Sequence, residues 1–255
     1  MKEPPSKPVA LVTGGSRGIG AATALALADH GYDVAITYRN KAARADEIAA
    51  EVRQRGVNSL TVGCDITQPG DRDKLFAALK EWSGYLSLLV LNAAGGLERD
   101  LVAADPDYPM RINRDAQLAL VDAALPLMHE GAVVIYVTSH WAHLHGQVEY
   151  IPIYAPVAST KHAGEQALRA RQQELAERGV RLLVVTGDLI EGTIMAKLIE
   201  RFVPGVTEER RQKGVQLPSV AEMGQAIAAA AADETLPSGH TVVVGGSLDT
   251  FERRQ

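Results

Sequence analysis

The stretch Val9-Ala10-Leu11-Val12-Thr13-Gly14-Gly15-Ser16-Arg17-Gly18-Ile19-Gly20 decides the fold of this chain. An apolar run ends at Thr13, and three glycines, Gly14, Gly18 and Gly20, separate it from an alanine-rich segment of helical character. A turn this tight needs residues without a Cβ atom, and glycine also lets the backbone approach a pyrophosphate closely. A glycine triplet is a weak signal alone, but its place between a strand and a helix predicts a dinucleotide site.

Apolar strands and helices alternate along the rest of the chain. The predicted strands span residues 9–13, 33–38, 59–64, 86–91, 132–138, 181–186 and 241–244. The predicted helices span residues 21–29, 42–55, 71–83, 110–128, 157–178 and 220–232. Continuous apolar strands separated by helices favour a parallel sheet covered on both faces. The sequence therefore predicts an α/β fold: a single doubly wound, Rossmann-like domain over residues 1–255, with about seven strands and helices on both faces.

The least regular part of the sequence lies between residues 187 and 218, where Gly192, Pro204, Gly205 and Gly214 interrupt short helical pieces. In an open α/β sheet, ligands bind beyond the carboxyl ends of the strands. A long excursion at that edge is therefore predicted to be a substrate lid, at about residues 188–217.

Composition excludes several classes of function. The net charge is −5, and there is no basic run that would indicate a nucleic acid as partner. The amino terminus lacks the apolar stretch of a signal peptide, and no segment is apolar for long enough to span a bilayer. Cys64 is the single cysteine, which excludes an intrachain disulfide and a cysteine-based metal cluster. A soluble, cytoplasmic protein without a metal site is expected.

The glycine spacing is unusual for a dinucleotide fingerprint, because three residues rather than one separate Gly14 from Gly18. With Asp65 after the third strand and the run Asn92-Ala93-Ala94-Gly95 after the fourth, this pattern resembles the short-chain dehydrogenase/reductase family over residues 8–247. The resemblance implies that Asp65 and Ile66 border an adenine and that Asn92 supports the sheet and the pocket. The residues expected to bind the cofactor are Gly14, Ser16, Arg17, Gly18, Ile19, Gly20, Arg39, Asp65, Ile66, Asn92, Ala93, Gly95, Lys161, Gly187 and Thr193.

The residue after the second strand indicates which nicotinamide cofactor is used. Domains that prefer NAD usually place an acidic residue there, on the ribose hydroxyls, whereas this chain has Arg39. A guanidinium can pair with a 2′-phosphate through its planar fork, and Arg17 adds a second positive charge nearby. NADP(H) is therefore predicted over NAD(H).

Carbonyl reduction needs a hydride within reach of the carbon, a polarised oxygen, and a proton for the forming alkoxide. The family resemblance assigns the last two tasks to a serine, a tyrosine and a lysine, assisted by an asparagine. Ser139 at the end of the fifth strand, Lys161 in the next helix, and Asn113 in the helix after the fourth strand match these positions. The resemblance also implies that Lys161 lowers the pKa of the neighbouring phenol and that Asn113 organises a water chain to Lys161.

The expected tyrosine is missing, because the position four residues before Lys161 holds Val157. Tyr154 is the nearest replacement, but seven residues of continuous helix would place it about 10 Å from the lysine. Pro156 favours a first-turn position, which predicts that Tyr154 lies in an extended lead-in from which its ring can fold back toward Ser139. Tyr150 is a second candidate on the same segment.

Three histidines, His140, His143 and His145, follow Ser139 and offer another proton donor near neutral pH.

Three functions stay open for this sequence. The leading hypothesis is an NADP(H)-dependent oxidoreductase that reduces a ketone or aldehyde, or less readily an enone or imine, with a small-molecule carbonyl substrate. The alternatives are an NADP-binding sensor or scaffold without dehydrogenase activity, and a non-redox lyase or cyclase. The family resemblance also implies a homodimer or homotetramer formed through the helices at residues 110–128 and 157–178.

Overall fold

The computed structural model describes residues 7–149, 151–212 and 214–251, and its centre is one seven-stranded parallel sheet. The strand order is β3-β2-β1-β4-β5-β6-β7, the doubly wound arrangement that the sequence predicts. The strands are β1 (Val9–Val12), β2 (Asp33–Tyr38), β3 (Ser59–Gly63), β4 (Leu86–Leu91), β5 (Met128–Ser139), β6 (Arg181–Gly187) and β7 (Thr241–Val244).

Helices cover both faces of the sheet. They are α1 (Gly18–Asp29), α2 (Ala42–Gln54), α3 (Pro69–Trp82), α4 (Arg99–Ala104), α5 (Tyr108–Met110), α6 (Ala116–Ala124), α7 (His140–His143), α8 (Ala155–Ala170), α9 (Gln172–Glu177), α10 (Ile194–Phe202), α11 (Val206–Gln212) and α12 (Val220–Ala232). A π turn covers Arg111–Asp115, and 3-10 turns cover Leu125–Leu127, Pro152–Tyr154 and Leu248–Thr250.

The core forms because successive strand residues point to opposite faces of the sheet. Leu11, Leu89 and Val134 belong to the cluster on one face, while their neighbours Val12 and Val90 belong to the cluster on the other. All five are fully buried. Since both faces are covered by helices, the strands are apolar at every position rather than at alternate ones.

The strand order reverses beside β1, which pairs with β2 on one side and with β4 on the other. The loops that follow β1 and β4 are joined directly. The amide of Thr13 donates to the carbonyl of Val90 at 3.1 Å, and the amide of Asn92 donates to Thr13 Oγ1 at 3.0 Å. A crevice at this switch point is where open α/β sheets bind their ligands.

The prediction of one continuous helix at residues 110–128 is wrong, because the structure breaks this segment into four pieces. The π turn lies at Arg111–Asp115, α6 ends at Ala124, and Met128 already begins β5. Pro126 explains the end of the helix, since it supplies no N–H group to continue the α-helical hydrogen bonds and the chain tightens into a 3-10 turn.

The later segments also differ from their predicted form. The helix predicted at residues 157–178 begins earlier, at Ala155, and is interrupted at Arg171 before α9. The predicted strand at residues 132–138 begins at Met128. The predicted lid contains two helices, α10 and α11, where the sequence indicated only irregular helical pieces.

Within the described ranges, no helix is both long and apolar enough to cross a bilayer, and no set of histidine, cysteine and carboxylate side chains has the arrangement of a metal site.

Candidate active site

A cleft of about 540 Å³ runs along the carboxyl edge of the sheet, from the glycine loop after β1 to the lid. Its wall contains the predicted cofactor residues except one, namely Gly14, Ser16, Arg17, Gly18, Ile19, Gly20, Arg39, Asp65, Ile66, Asn92, Ala93, Gly95, Lys161 and Thr193. The exception is Gly187, which packs inside the protein: a Cβ atom there would lie 2.7 Å from Ile190 Cδ1. Close packing therefore accounts for this glycine without a ligand.

The glycine loop has the shape that its sequence predicts. Gly14 and Gly18 have φ angles of 68° and 56°, in the left-handed region that favours glycine. A Cβ atom on Gly20 would lie only 2.4 Å from the Gly14 carbonyl oxygen. The loop and the first turn of α1 line the cleft, and a helix amino terminus in this position fits a pyrophosphate.

Asn92 connects this loop to β4. Its Nδ2 atom donates to the carbonyl oxygen of Thr13 at 2.8 Å, and Thr13 Oγ1 accepts from the amide of Ala93 at 3.0 Å. These bonds fix the two loops that form the floor of the cleft. The predicted supporting position of Asn92 agrees with this geometry.

The far end of the cleft, beyond β2, carries several positive charges. Arg39 and Arg17 line it, as the sequence predicts for a 2′-phosphate, and so do Lys41 and Arg44 at the start of α2. Asp65 lies on the same wall, where its Oδ1 atom accepts hydrogen bonds from the amide and hydroxyl of Thr67. Because a cluster of cations beside a helix amino terminus attracts anions, this end suits a phosphorylated ribose.

Two hydroxyls meet at the other end of the cleft. The side chains of Ser139 and Tyr154 share a hydrogen bond of 2.9 Å. Ser139 is placed by the end of β5, and Tyr154 ends the 3-10 turn Pro152–Tyr154. The structure therefore brings together the two groups that the sequence singled out for orienting and protonating a substrate oxygen.

Tyr154 does not lie in an extended lead-in, which corrects the predicted backbone. Its φ and ψ angles are −89° and −11°, because the 3-10 turn runs directly into α8. Burial raises the pKa of the Tyr154 phenol, and the hydrogen bond with Ser139 lowers it by less. The pKa of Tyr154 is therefore raised rather than lowered as expected, Lys161 is not among the causes of its shift, and the hydroxyl keeps its proton at neutral pH. Tyr150, the second candidate, lies outside the described residues.

Lys161 projects from the second turn of α8 and lines the cleft, with only 9% of the residue exposed. Burial lowers its pKa to about 8, and the carboxylate of Glu165 one turn later raises it in part. Although burial opposes it, hydrogen bonds and charges from His143 and Arg169 hold the pKa of Glu165 below its usual value. The cleft that contains the two hydroxyls is therefore also lined by an ammonium that loses its proton more easily than an ordinary lysine does.

Val157 stands in the wall of the cleft where the family places its phenol, and it is 2% exposed. It adds to an apolar surface near Ser139 and Tyr154. The other apolar residues on this surface are Trp141, Leu189, Ile194, Met195 and Ile199. The replacement therefore removes an acid and enlarges a hydrophobic wall.

Asn113 lies behind the cleft rather than on its wall. Its Nδ2 atom donates to the carbonyl of Gly95 at 2.9 Å and to Thr160 Oγ1 at 3.0 Å, and its Oδ1 atom accepts from the amide of Gly95. Its own carbonyl accepts from the Tyr136 hydroxyl. These contacts fix the loop after β4, while the predicted water chain to Lys161 stays a prediction.

The three histidines after Ser139 do not reach the cleft in the described structure. His140 is fully buried, with its ring nitrogens bonded to Thr186 Oγ1 and to the Gly245 carbonyl, and burial lowers its pKa. His143 bonds to Glu165. His145 stacks obliquely with His162 at 5.4 Å between ring centroids. Their positions favour a phenol over an imidazole as proton donor.

Two contacts help to order the predicted lid at residues 188–217. Thr193 Oγ1 caps α10 by accepting from the amide of Ala196 at 3.1 Å. Arg210 in α11 pairs with Asp188 at the end of β6, and its guanidinium lies 4.1 Å from the centre of the Phe251 ring. Asp188 lines the cleft. Sequence reasoning missed Arg210, Phe251 and Tyr108, because their contacts join segments far apart in the chain.

Comparison with known proteins adds three findings to this geometry. The family model described as short chain dehydrogenase matches residues 8–202. The chain is 27% identical over 199 residues to "Versicolorin reductase stcU" of Emericella nidulans, covering 77% of this chain and 74% of that protein. It is 30% identical over 250 residues to "1-cyclohexenylcarbonyl-CoA reductase" of Streptomyces collinus, covering 94% and 86%.

Among solved structures, the chain resembles the angucycline C-6 ketoreductase LanV with bound NADP. The TM-score is 0.80 at 28% identity, over 94% of this chain and 95% of that one. The fold described above is thus found in a chain whose structure holds bound NADP.

Proposed function

The chain belongs to the short-chain dehydrogenase family, and from that premise we propose that it is an NADP(H)-dependent oxidoreductase that reduces a ketone or aldehyde. The observation that carries the proposal is the 2.9 Å hydrogen bond between Ser139 and Tyr154 in the wall of a cleft that Lys161 also lines. It supports the idea that Tyr154 has replaced the phenol missing at Val157.

The cofactor fits the residues present. The glycine loop would hold the pyrophosphate, and Arg39 with Arg17 would hold the 2′-phosphate. When bound, NADPH supplies the hydride for the carbonyl carbon. The residues around it exclude water and fix the reacting groups, which is how such sites lower a barrier.

The remaining chemistry belongs to the side chains of this protein. Ser139 donates a hydrogen bond to the carbonyl oxygen and polarises it. Tyr154, protonated at neutral pH because burial raises its pKa, gives its proton to that oxygen as the alkoxide forms. The ammonium of Lys161 stabilises the phenolate that is left.

Removal of the Tyr154 hydroxyl tests this assignment. Tyr154→Phe should lower kcat for NADPH-dependent ketone reduction by about 100-fold or more, because the general acid is lost while the ring still packs. Turnover is measured from nicotinamide absorbance with a panel of ketones and aldehydes. Tyr85→Phe is the control, since Tyr85 stacks on His129 away from the cleft. Unchanged turnover in Tyr154→Phe would reject the role.

The same assay separates the alternative functions. A sensor or scaffold would bind NADPH without turning over any carbonyl compound. A lyase or cyclase would form product with no change in nicotinamide absorbance. Neither is favoured by the relatives, whose names describe reductases.

A second candidate reaction is reduction of a carbon–carbon double bond. It is favoured by one relative, which matches 94% of this chain and whose name contains a cyclohexenylcarbonyl thioester. In such a compound the double bond is conjugated to the carbonyl, so the same hydroxyl pair could polarise its oxygen. An enoyl thioester therefore belongs in the substrate panel. Faster turnover of this compound than of any ketone would redirect the proposal to alkene reduction.

We further propose that residues 1–255 act as a single domain with residues 188–217 as a substrate lid, in a homodimer or homotetramer of the cytoplasm. Protection of the lid from limited proteolysis by NADPH would support its role. Sedimentation would give the number of subunits, and cell fractionation the location.

A further inference from the structure

One cofactor-facing arginine is held by a hydroxyl from a distant part of the chain. Arg39 directly follows β2, and its Nη1 atom donates to the Tyr108 hydroxyl at 2.8 Å across a separation of 69 residues. Tyr108 begins α5 and is 4% exposed, whereas Arg39 is exposed along most of its length. A buried, fixed acceptor therefore anchors an otherwise mobile type of side chain.

Tyr108 is itself rigidly placed. Its ring packs in the larger core cluster together with Ile112. Its hydroxyl lies near the loop after β4, where a Cβ atom on Gly95 would be 3.1 Å from it. Burial raises the pKa of the Tyr108 phenol, and the nearby carboxylate of Glu98 raises it further. The hydroxyl stays protonated at neutral pH and accepts from Arg39 through its lone pairs.

The other cations at this end of the cleft lack a comparable anchor. Arg17, Lys41 and Arg44 line the same wall and are exposed. Of these three cations and Arg39, all within the described ranges, Arg39 is the one whose side chain has a hydrogen bond to another side chain. An unanchored arginine loses rotamer entropy when a ligand fixes it.

We propose that Tyr108 is a positioning residue for cofactor choice: by holding Arg39 in place, it favours NADP(H) over NAD(H). This inference rests on the proposed function, in which Arg39 binds the 2′-phosphate. With one N–H group bonded to Tyr108, the side chain is already ordered before the nucleotide arrives, and the other N–H groups of its fork can pair with phosphate oxygens. NAD has no 2′-phosphate, so it gains nothing from this arrangement.

Tyr108→Phe tests the proposal, because it removes the hydroxyl and keeps the buried ring. Dissociation constants for NADPH and NADH are measured by calorimetry. We expect the NADPH value to rise about 3- to 10-fold, the range for the net loss of one typical hydrogen bond, while the NADH value stays within about twofold. Tyr85→Phe is the matched control and should change neither. Equal weakening of both nucleotides, or no weakening of NADPH, would overturn the proposal.

A double variant makes the test specific to Arg39. In an Arg39→Ala background, the further change Tyr108→Phe should leave the NADPH dissociation constant unaltered, because the residue it positions is absent. An additional loss there would contradict the proposed route. A wild-type protein with no preference for NADPH would refute both the cofactor assignment and this inference. A wild-type preference for NADPH that is undiminished in Tyr108→Phe would refute the inference alone.

Discussion

Burial changes the acid–base chemistry of Lys161. Its ammonium lies in the wall of the cleft with little water around it, and burial lowers its pKa from 10.5 to about 8. The nearby Glu165 carboxylate offsets part of this effect. Lys161 is therefore mostly charged at neutral pH, and it loses its proton more easily than an ordinary lysine does.

This lowered pKa predicts a dependence of stability on pH. In nucleotide-free protein at pH 7, Lys161→Met should raise the free energy of unfolding by up to about 3 kcal/mol, because the buried charge is removed. Between pH 8 and pH 10.5 the folded wild type has lost this proton while its unfolded chain still binds it, so wild-type stability rises with pH relative to the variant. Urea unfolding from pH 7 to pH 10 measures the difference. A difference that stays constant over this range would contradict the lowered pKa.

The residues of the site could be predicted only where the signal is local. The glycine loop, Asn92, Ser139 and Lys161 lie in short motifs after particular strands, and all of them line the cleft. The contact of Arg39 with Tyr108 gives no such signal, because nothing in the sequence states which segments meet across the cleft. For the same reason the sequence could identify Tyr154 as a candidate without fixing its backbone conformation.

At the scale of elements, the segment after β4 shows where periodicity misleads. Its apolar pattern continues past Asn113, but the chain forms a π turn there. Asn113 bonds to both sides of Gly95, and Gly164 of α8 approaches so closely that a Cβ atom on it would lie 2.1 Å from the Asn113 carbonyl. Tertiary contacts of this kind override local helix preference.

The lid depends on one buried ion pair. Arg210 of α11 and Asp188 at the end of β6 are 9% and 0% exposed in their side chains. The guanidinium also rests on the Phe251 ring. An ion pair in this position holds α11 against the sheet, and removal of one partner leaves the other charge buried.

Arg210→Met should therefore lower the free energy of unfolding by about 3 kcal/mol or more and speed amide hydrogen exchange in α11. Urea unfolding and hydrogen-exchange mass spectrometry measure the two effects. Arg201→Met, at an exposed position in α10, serves as the control and should change little. If Arg210→Met and Arg201→Met behave alike, the pair does not hold the lid.

At the scale of the whole molecule, the sheet order and both helical layers could be predicted because the signal is repeated along the chain. Seven apolar runs separated by helices leave few arrangements other than a doubly wound sheet. The strands β2, β4 and β7 have the predicted ends. The lid could not be placed in this way, since its two short helices take their position from α8, β6 and Phe251 rather than from the repeat.

The whole molecule should also respond to its cofactor. A ligand that binds only the folded state at 100 times its dissociation constant adds about 2.7 kcal/mol to the free energy of unfolding. NADPH should raise Tm accordingly, and NADH at the same concentration should raise it less, because it lacks the phosphate that Arg39 would bind. Differential scanning fluorimetry with both nucleotides measures the shifts. Equal shifts would contradict the selection of NADP(H).

The turn Pro152–Tyr154 has one more consequence. It packs against α10, whereas Lys161 stands inside the rigid α8. The phenol of Tyr154 is thus held by a turn that contacts α10, whereas a phenol four residues before Lys161 would be held by α8 itself.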